Sequence, residues 1–254
     1  MKVVKKRTSR NKLMILTSVG FIASVCEFAY FFPHIHASST YTIMFITFEG
    51  LDFSGKSTQV ELLAERLRRD QYRVSVQRDP GGTQIGEKIR QILLDKGSAG
   101  MADVTELFLF SASRAQLVYE VIKPALASGV VVICDRFYDS TTAYQGWGRG
   151  LQVDAINTIN RAAAQGLVPD LTFFIDIPVD EVERRMRRQS SHADRMESSG
   201  REFYERTRDG YLTLAEQERR FTVLNGLRPV EEVHSQIWHR VQETLIALAS
   251  HKAH

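Results

Sequence analysis

The segment Gly50-Leu51-Asp52-Phe53-Ser54-Gly55-Lys56-Ser57, with Thr58 directly after it, sets two glycines, a lysine and a hydroxyl at the spacing G-x-x-x-x-G-K-S. These residue types at this spacing suit one kind of chemistry. Glycines let the backbone wrap round phosphate oxygens, the lysine reaches the β- and γ-phosphates of a nucleoside triphosphate, and the hydroxyl ligates Mg²⁺. An apolar run, Met44 to Phe48, precedes the loop. After it Val60, Leu63, Ala64 and Leu67 fall on one helical face. The loop therefore joins a strand to a helix, and the helix N-terminus adds its partial positive charge. The motif implies a nucleotide with Mg²⁺ and leaves the reaction open.

Other residues could share that chemistry. Asp135-Arg136 follows the β-branched run Val130-Val-Val-Ile-Cys134, at the end of a strand. Phe110 and Arg114 are four apart on an expected helix, so they share a face. An aromatic plane stacks on a base and a guanidinium donates to a base carbonyl. Arg78-Asp79-Pro80-Gly81-Gly82 reads as a turn after a strand. Arg184, Arg185, Arg187, Arg188 and Arg195 crowd one short stretch. Each has a plainer reading: a core phenylalanine, a strand-end ion pair, a solvated arginine face.

The elements that must hold these residues follow from periodicity. Strands are expected at Met44–Phe48, Arg73–Val76, Val130–Cys134, Leu171–Asp176 and Phe221–Leu224. Between and after them, helices are expected at Gly86–Leu94, Val104–Leu126, Val153–Ala164, Asp180–Arg188, Phe203–Arg219 and Val230–Ala249. Alternation of this kind implies a parallel sheet covered on both faces, with ligands beyond the carboxyl ends of the strands. The motifs above fall at those ends.

Composition supports an ordinary globular α/β domain: 254 residues, 43% apolar, 25% charged. Cys26 and Cys134 make neither a disulfide framework nor a zinc cluster. The net charge of +3 is misleading, because residues 1–43 hold six basic residues and one acidic, leaving −2 for residues 44–254. A nucleic-acid partner is therefore not expected. Residues 1–43 place a basic run before an apolar stretch, 13–32, and then small residues, the layout of a signal or anchor. The alternative is that Met44 is the true start, since a complete first strand begins there. A membrane partner is expected only if residues 13–32 are a real anchor, and the cytoplasm is the expected compartment of an ATP-using protein.

Five segments, in order, make residues 44–242 resemble the thymidylate kinase family. They are Thr47-Phe-Glu-Gly-Leu-Asp52, Arg78-Asp-Pro-Gly-Gly-Thr83, Phe110-Ser-Ala-Ser-Arg114, Asp135-Arg136 with Tyr144-Gln145, and Asp194-Arg-Met-Glu197 with Tyr204-Glu-Arg-Thr-Arg208. The resemblance implies a P-loop nucleoside monophosphate kinase fold, a five-stranded parallel sheet flanked by helices, usually as a homodimer. It implies transfer of the γ-phosphoryl group of ATP to dTMP, giving dTDP. In the family, Phe110 and Arg114 hold the thymine ring and its O4, and Thr141 and Gln145 lie near the base edge. Tyr144 lies against the sugar. Arg78 and Arg90 meet the dTMP phosphate or base. Asp52 lies near the sugar 3′-hydroxyl and the phosphates. Arg136 sits between donor and acceptor phosphates, and Asp135 either supports the magnesium shell with Ser57 or orients that arginine. Some relatives carry an arginine inside the loop where this chain has Phe53 and Ser54. Here it is expected from a lid at about 184–200, as in the bacterial subgroup, with Arg188 and Arg195 the first choices.

Two rivals remain at this point. A deoxynucleoside kinase would need a carboxylate base and would leave Arg78 without a phosphate. A membrane-anchored, non-catalytic nucleotide binder is suggested only by residues 13–32.

Overall fold

A computed structural model describes residues 44–189, 195–197 and 199–251. Residues 1–43, with their anchor-or-start question, lie outside the described residues, as do 190–194 and 198 of the expected lid. The chain runs β1 (Phe45–Glu49), α1 (Lys56–Arg69), β2 (Val74–Arg78), α2 (Gln84–Leu94) and α3 (Asp103–Leu117). The α3 rod continues through a π turn, Val118–Ile122, and a last α turn, Lys123–Ala127. Then come β3 (Val131–Asp135), α4 (Tyr138–Thr141, continuing as a π-helical stretch, Thr142–Gly148), α5 (Val153–Ala163), β4 (Leu171–Asp176), α6 (Val179–Gln189), α7 (Arg201–Gln217), β5 (Phe221–Asn225) and α8 (Val230–His251).

The five strands form one parallel sheet in the order β2-β3-β1-β4-β5. Burial explains the order. The three inner strands are apolar and almost wholly buried, whereas β2 and β5 are half exposed, as edges are. On one face Ile46 and Phe48 of β1 pack with Leu63 and Leu67 of α1 and Ile237 and Val241 of α8. On the other, Phe45, Val132 and Cys134 pack with Leu117, Val118 and Ile122. Burying each such side chain stabilises by roughly 1.5–3 kcal/mol. The two threonines that face each other inside the sheet, Thr47 and Thr172, join hydroxyls at 2.8 Å, so that one donates to the other and these buried polar groups are not left isolated.

Each expected strand and helix is present, with ends shifted by a few residues. The sequence reading did not identify α4 as a helix. Its residues lack a clean apolar stripe because they are shared between the core and a cleft.

Candidate active site

The loop after β1 turns tightly. Gly50 has φ 140, and a Cβ there would lie 2.6 Å from the Ile175 carbonyl oxygen at the end of β4. Phe53 (φ 62) and Gly55 (φ 100) also take left-handed backbone before α1 begins at Lys56, the kind of turn from which phosphate cradles are built. The Lys56 ammonium donates to the Leu51 carbonyl at 2.7 Å, the Gly50 carbonyl at 3.2 Å and Ser54 Oγ at 3.4 Å. Burial, then the Arg136 charge, push Lys56 down to about 8. The Ser57 hydroxyl donates to Asp135 Oδ2 at 2.9 Å, which brings together the two oxygen ligands expected for a hard cation. Among the described residues no cluster of three His, Cys, Asp or Glu could hold a metal. The donor set fits Mg²⁺ bound through one hydroxyl, one carboxylate and ligand phosphates.

Arg136 follows β3 with φ 70, a conformation that costs a non-glycine residue of order 1–3 kcal/mol. Its N–H donates to the Phe48 carbonyl, which anchors the turn to β1. The guanidinium Nη2 donates to Asp52 Oδ1 at 2.7 Å and to the Tyr144 hydroxyl at 3.1 Å. Nη1 donates to Ser140 Oγ at 3.1 Å and to the Tyr211 hydroxyl at 3.2 Å. Burial alone would raise the Asp52 carboxyl, but Arg136 and then Lys56 outweigh it and hold its pKa below the usual range. A fixed positive charge thus stands between the phosphate loop and a cleft.

That cleft is lined by Asp52, Arg90, Phe110, Arg114, Arg136, Thr141, Tyr144 and Gln145, eight residues singled out from the sequence, with Asp79, Leu94, Ser140 and Met196 among the others. Arg114 is 1% exposed. Its Nε donates to Asp79 Oδ2 at 2.6 Å, Nη2 to Thr141 Oγ1 at 2.7 Å, and Nη1 to Asn160 Oδ1 at 3.1 Å. Arg90 donates to the Pro80 carbonyl at 3.0 Å. Arg78 is not brought to the cleft. It is exposed and pairs with Glu87 at 2.9 Å, and Glu87 also accepts from the Gly82 N–H, so this pair braces the turn.

The arginine cluster divides. Arg195, expected on the lid, is nearly buried: it donates to Glu106 Oε2 at 2.5 Å and to the Leu93 carbonyl at 2.7 Å. Arg185 meets the phosphate loop instead, donating to the Phe53 carbonyl and to the Gly226 carbonyl, each at 3.0 Å, while Glu181 accepts from its Nε. Arg188 is exposed one turn further along α6, at i+3 from Arg185 and so on the same side of the helix.

Sequence reasoning missed the acidic residues that organise these cations. Glu49 and Glu106 are 0% and 1% exposed. Glu106 accepts from Gln145, Arg149 and Arg195, and these bonds outweigh its burial and keep its pKa low. A carboxylate inside an apolar run, as in Thr47-Phe48-Glu49, was the available signal, because such a group is retained only where donors meet it.

The sequence model of a family described as thymidylate kinase matches residues 48–237. A thymidylate kinase of Kosmotoga olearia is 48% identical over 206 residues, covering 81% of this chain and 97% of that protein. One from Pelodictyon phaeoclathratiforme is 49% identical over 203 residues, covering 76% and 93%. The crystal structure of a thymidylate kinase from Ehrlichia chaffeensis superposes with a TM-score of 0.64 at 37% identity, over 78% of this chain and 98% of that one.

Proposed function

The chain belongs to the thymidylate kinase family, and on that premise we propose how its residues divide the work of moving a phosphoryl group from ATP to dTMP. The enzyme makes dTDP, a step toward dTTP. Its phosphate loop, Gly50 to Thr58, holds the triphosphate, and Lys56 exchanges its loop carbonyls for β- and γ-phosphate oxygens. Ser57 and Asp135 hold Mg²⁺, which neutralises phosphate charge when bound. In the cleft Phe110 stacks on thymine, Arg114, Thr141 and Gln145 read its edge, Tyr144 meets the sugar, and Arg90 meets the acceptor phosphate. Arg78 supports that site through Glu87 and Gly82. Arg136 neutralises charge between donor and acceptor, and Asp52 orients it. The acceptor oxygen is already ionised, so no strong general base is needed. Catalysis is positioning plus charge neutralisation.

The observation that carries this reading is Arg136, fixed by four acceptors at the junction of phosphate loop and cleft. The lid arginine is Arg188. Arg185 and Arg195 already have carbonyl and carboxylate partners, whereas Arg188 is exposed on the loop-facing side of α6. Residues 44–254 form the catalytic unit, and the family model matches within them, at residues 48–237. The compartment is the cytoplasm, where ATP is available, and among the described residues no helix is long and apolar enough to cross a membrane. The active form is a homodimer, supported by apolar residues left exposed on α2 and α3: Ile85, Ile92, Val104 and Phe108.

The test is ADP release by the full chain and by residues 44–254, across nucleoside monophosphates and thymidine. Both proteins are expected to prefer dTMP. The preference over dUMP should be modest, since one buried methyl is worth roughly 0.8 kcal/mol. Rejection of dCMP should be stronger, because the wrong edge leaves buried donors unpaired. A preference for thymidine would sink this account, and loss of activity on removing residues 1–43 would show that the catalytic unit extends further.

A further inference from the structure

We propose that Glu49, the last residue of β1, is a positioning residue for phosphoryl transfer that holds Arg136 in place by fixing the hydroxyl protons of Ser140 and Tyr211. The inference deepens the reading of Arg136 given above and rests on it.

Glu49 is fully buried. Its Oε1 accepts the Phe137 N–H at 2.8 Å. Its Oε2 accepts the Ser140 hydroxyl at 2.5 Å and the Tyr211 hydroxyl at 2.9 Å. Those two hydroxyl oxygens are the same two that accept Nη1 of Arg136, and they stand 2.8 Å from each other. A proton count gives the consequence. A guanidinium only donates, an ionised carboxylate only accepts, and each hydroxyl carries one proton. With Glu49 ionised, both hydroxyl protons go to Oε2. Both oxygens then turn only lone pairs toward Nη1, polarised by the carboxylate behind them.

Glutamine at this position reverses the pattern. The Phe137 N–H requires an acceptor on its side, so the amide oxygen sits there and the amide nitrogen faces Ser140 and Tyr211. That nitrogen donates to both hydroxyl oxygens and displaces both protons. One can pass from hydroxyl to hydroxyl; the other must face the N–H of Arg136, donor against donor. Aspartate keeps the acceptor chemistry with a shorter reach.

The charges facing Glu49 agree with this role. Burial, and then Asp139 beyond Ser140, push its carboxyl up to about 7, against the pull of Arg136. Lys56 lies across the phosphate loop within electrostatic reach. A proton on Glu49 removes the negative charge behind the two hydroxyls, so transfer should weaken as pH falls through about 7.

Four variants of the full chain test this: Glu49→Gln, Glu49→Asp, Arg136→Ala and the double variant Glu49→Gln/Arg136→Ala. Single-turnover rate, KM for each substrate and the thermal midpoint are measured. Glu49→Gln is expected to slow the chemical step about 10- to 100-fold. KM for ATP should stay within about twofold, because ground-state binding is not what Arg136 supplies. Glu49→Asp should recover part of the rate. The acid limb near neutral pH should be present in wild type and absent from Glu49→Gln. The double variant should be no slower than Arg136→Ala, because Glu49 acts through that arginine. A folded Glu49→Gln enzyme with the wild-type rate overturns the proposal, and so do losses that multiply in the double variant. If Glu49→Gln does not fold, Tyr211→Phe decides, since it removes one bridge and its effect must likewise vanish beside Arg136→Ala. An Arg136→Ala enzyme at nearly wild-type rate would instead overturn the role given to Arg136, so the two failures are distinct.

Discussion

Arg114 carries its charge at 1% exposure, and Asp79, equally buried, neutralises it at 2.6 Å. Removing one member of such a pair leaves the other charge uncompensated and costs about 3–5 kcal/mol. Arg114→Ala should therefore lower the thermal midpoint sharply, and any rise in KM for dTMP will be mixed with loss of structure. Phe110 is the cleaner probe of the base site, because it lines the cleft without belonging to a buried ion pair. Phe110→Ala should raise KM for dTMP at least about tenfold while KM for ATP holds. Equal effects on both substrates would point to general destabilisation and against a base-stacking role. The helical spacing of Phe110 and Arg114 was legible from sequence; the partner Asp79 was not, because it lies 35 positions away and the two meet only once the chain is folded.

At the scale of elements, the strands and the loop between β1 and α1 were legible because each has a short-range signature: β-branched runs, glycine spacing, one apolar helical face. The α4 helix had none. Ser140, Thr141, Tyr144 and Gln145 line the cleft, while Tyr138, Asp139 and Thr142 line a second hollow behind it, so no single apolar face marks the helix. The arginine cluster of the proposed lid was legible, but not the partner that each arginine meets. That depends on Glu106 and on the Phe53 and Gly226 carbonyls, all distant in sequence. The two first choices now separate. Arg188→Ala should slow single-turnover phosphoryl transfer about 10²-fold or more with KM for dTMP little changed, as expected for a charge used in the transition state. Lysine at 188 should rescue only in part, since it lacks the two-pronged geometry. Arg195→Ala should instead lower the thermal midpoint, because it leaves Glu106 one donor short in a buried site. If Arg188→Ala is silent and Arg195→Ala alone slows the chemistry, the assignment of the lid is reversed.

At the scale of the molecule, the sheet places the phosphate loop, Asp135 and Arg136 at the carboxyl ends of β1 and β3, and the cleft opens beside them. Ile85 and Ile92 of α2 and Val104 and Phe108 of α3 are exposed, and the homodimer proposed above uses them as its contact with a second copy. Phe108→Glu should halve the mass seen by light scattering, since a charge buried at such a contact is not tolerated. An unchanged mass would remove this face from the dimer. The central claim is the destination of the phosphoryl group, and label transfer reads it directly. ATP labelled at the γ-phosphorus is mixed with dTMP, Mg²⁺ and the wild-type enzyme or Lys56→Ala, and the products are separated. The account expects the label in the β position of dTDP with wild type, and a rate about 10²–10³ lower with Lys56→Ala. Label found only in free phosphate, or a Lys56→Ala enzyme as fast as wild type, would contradict it.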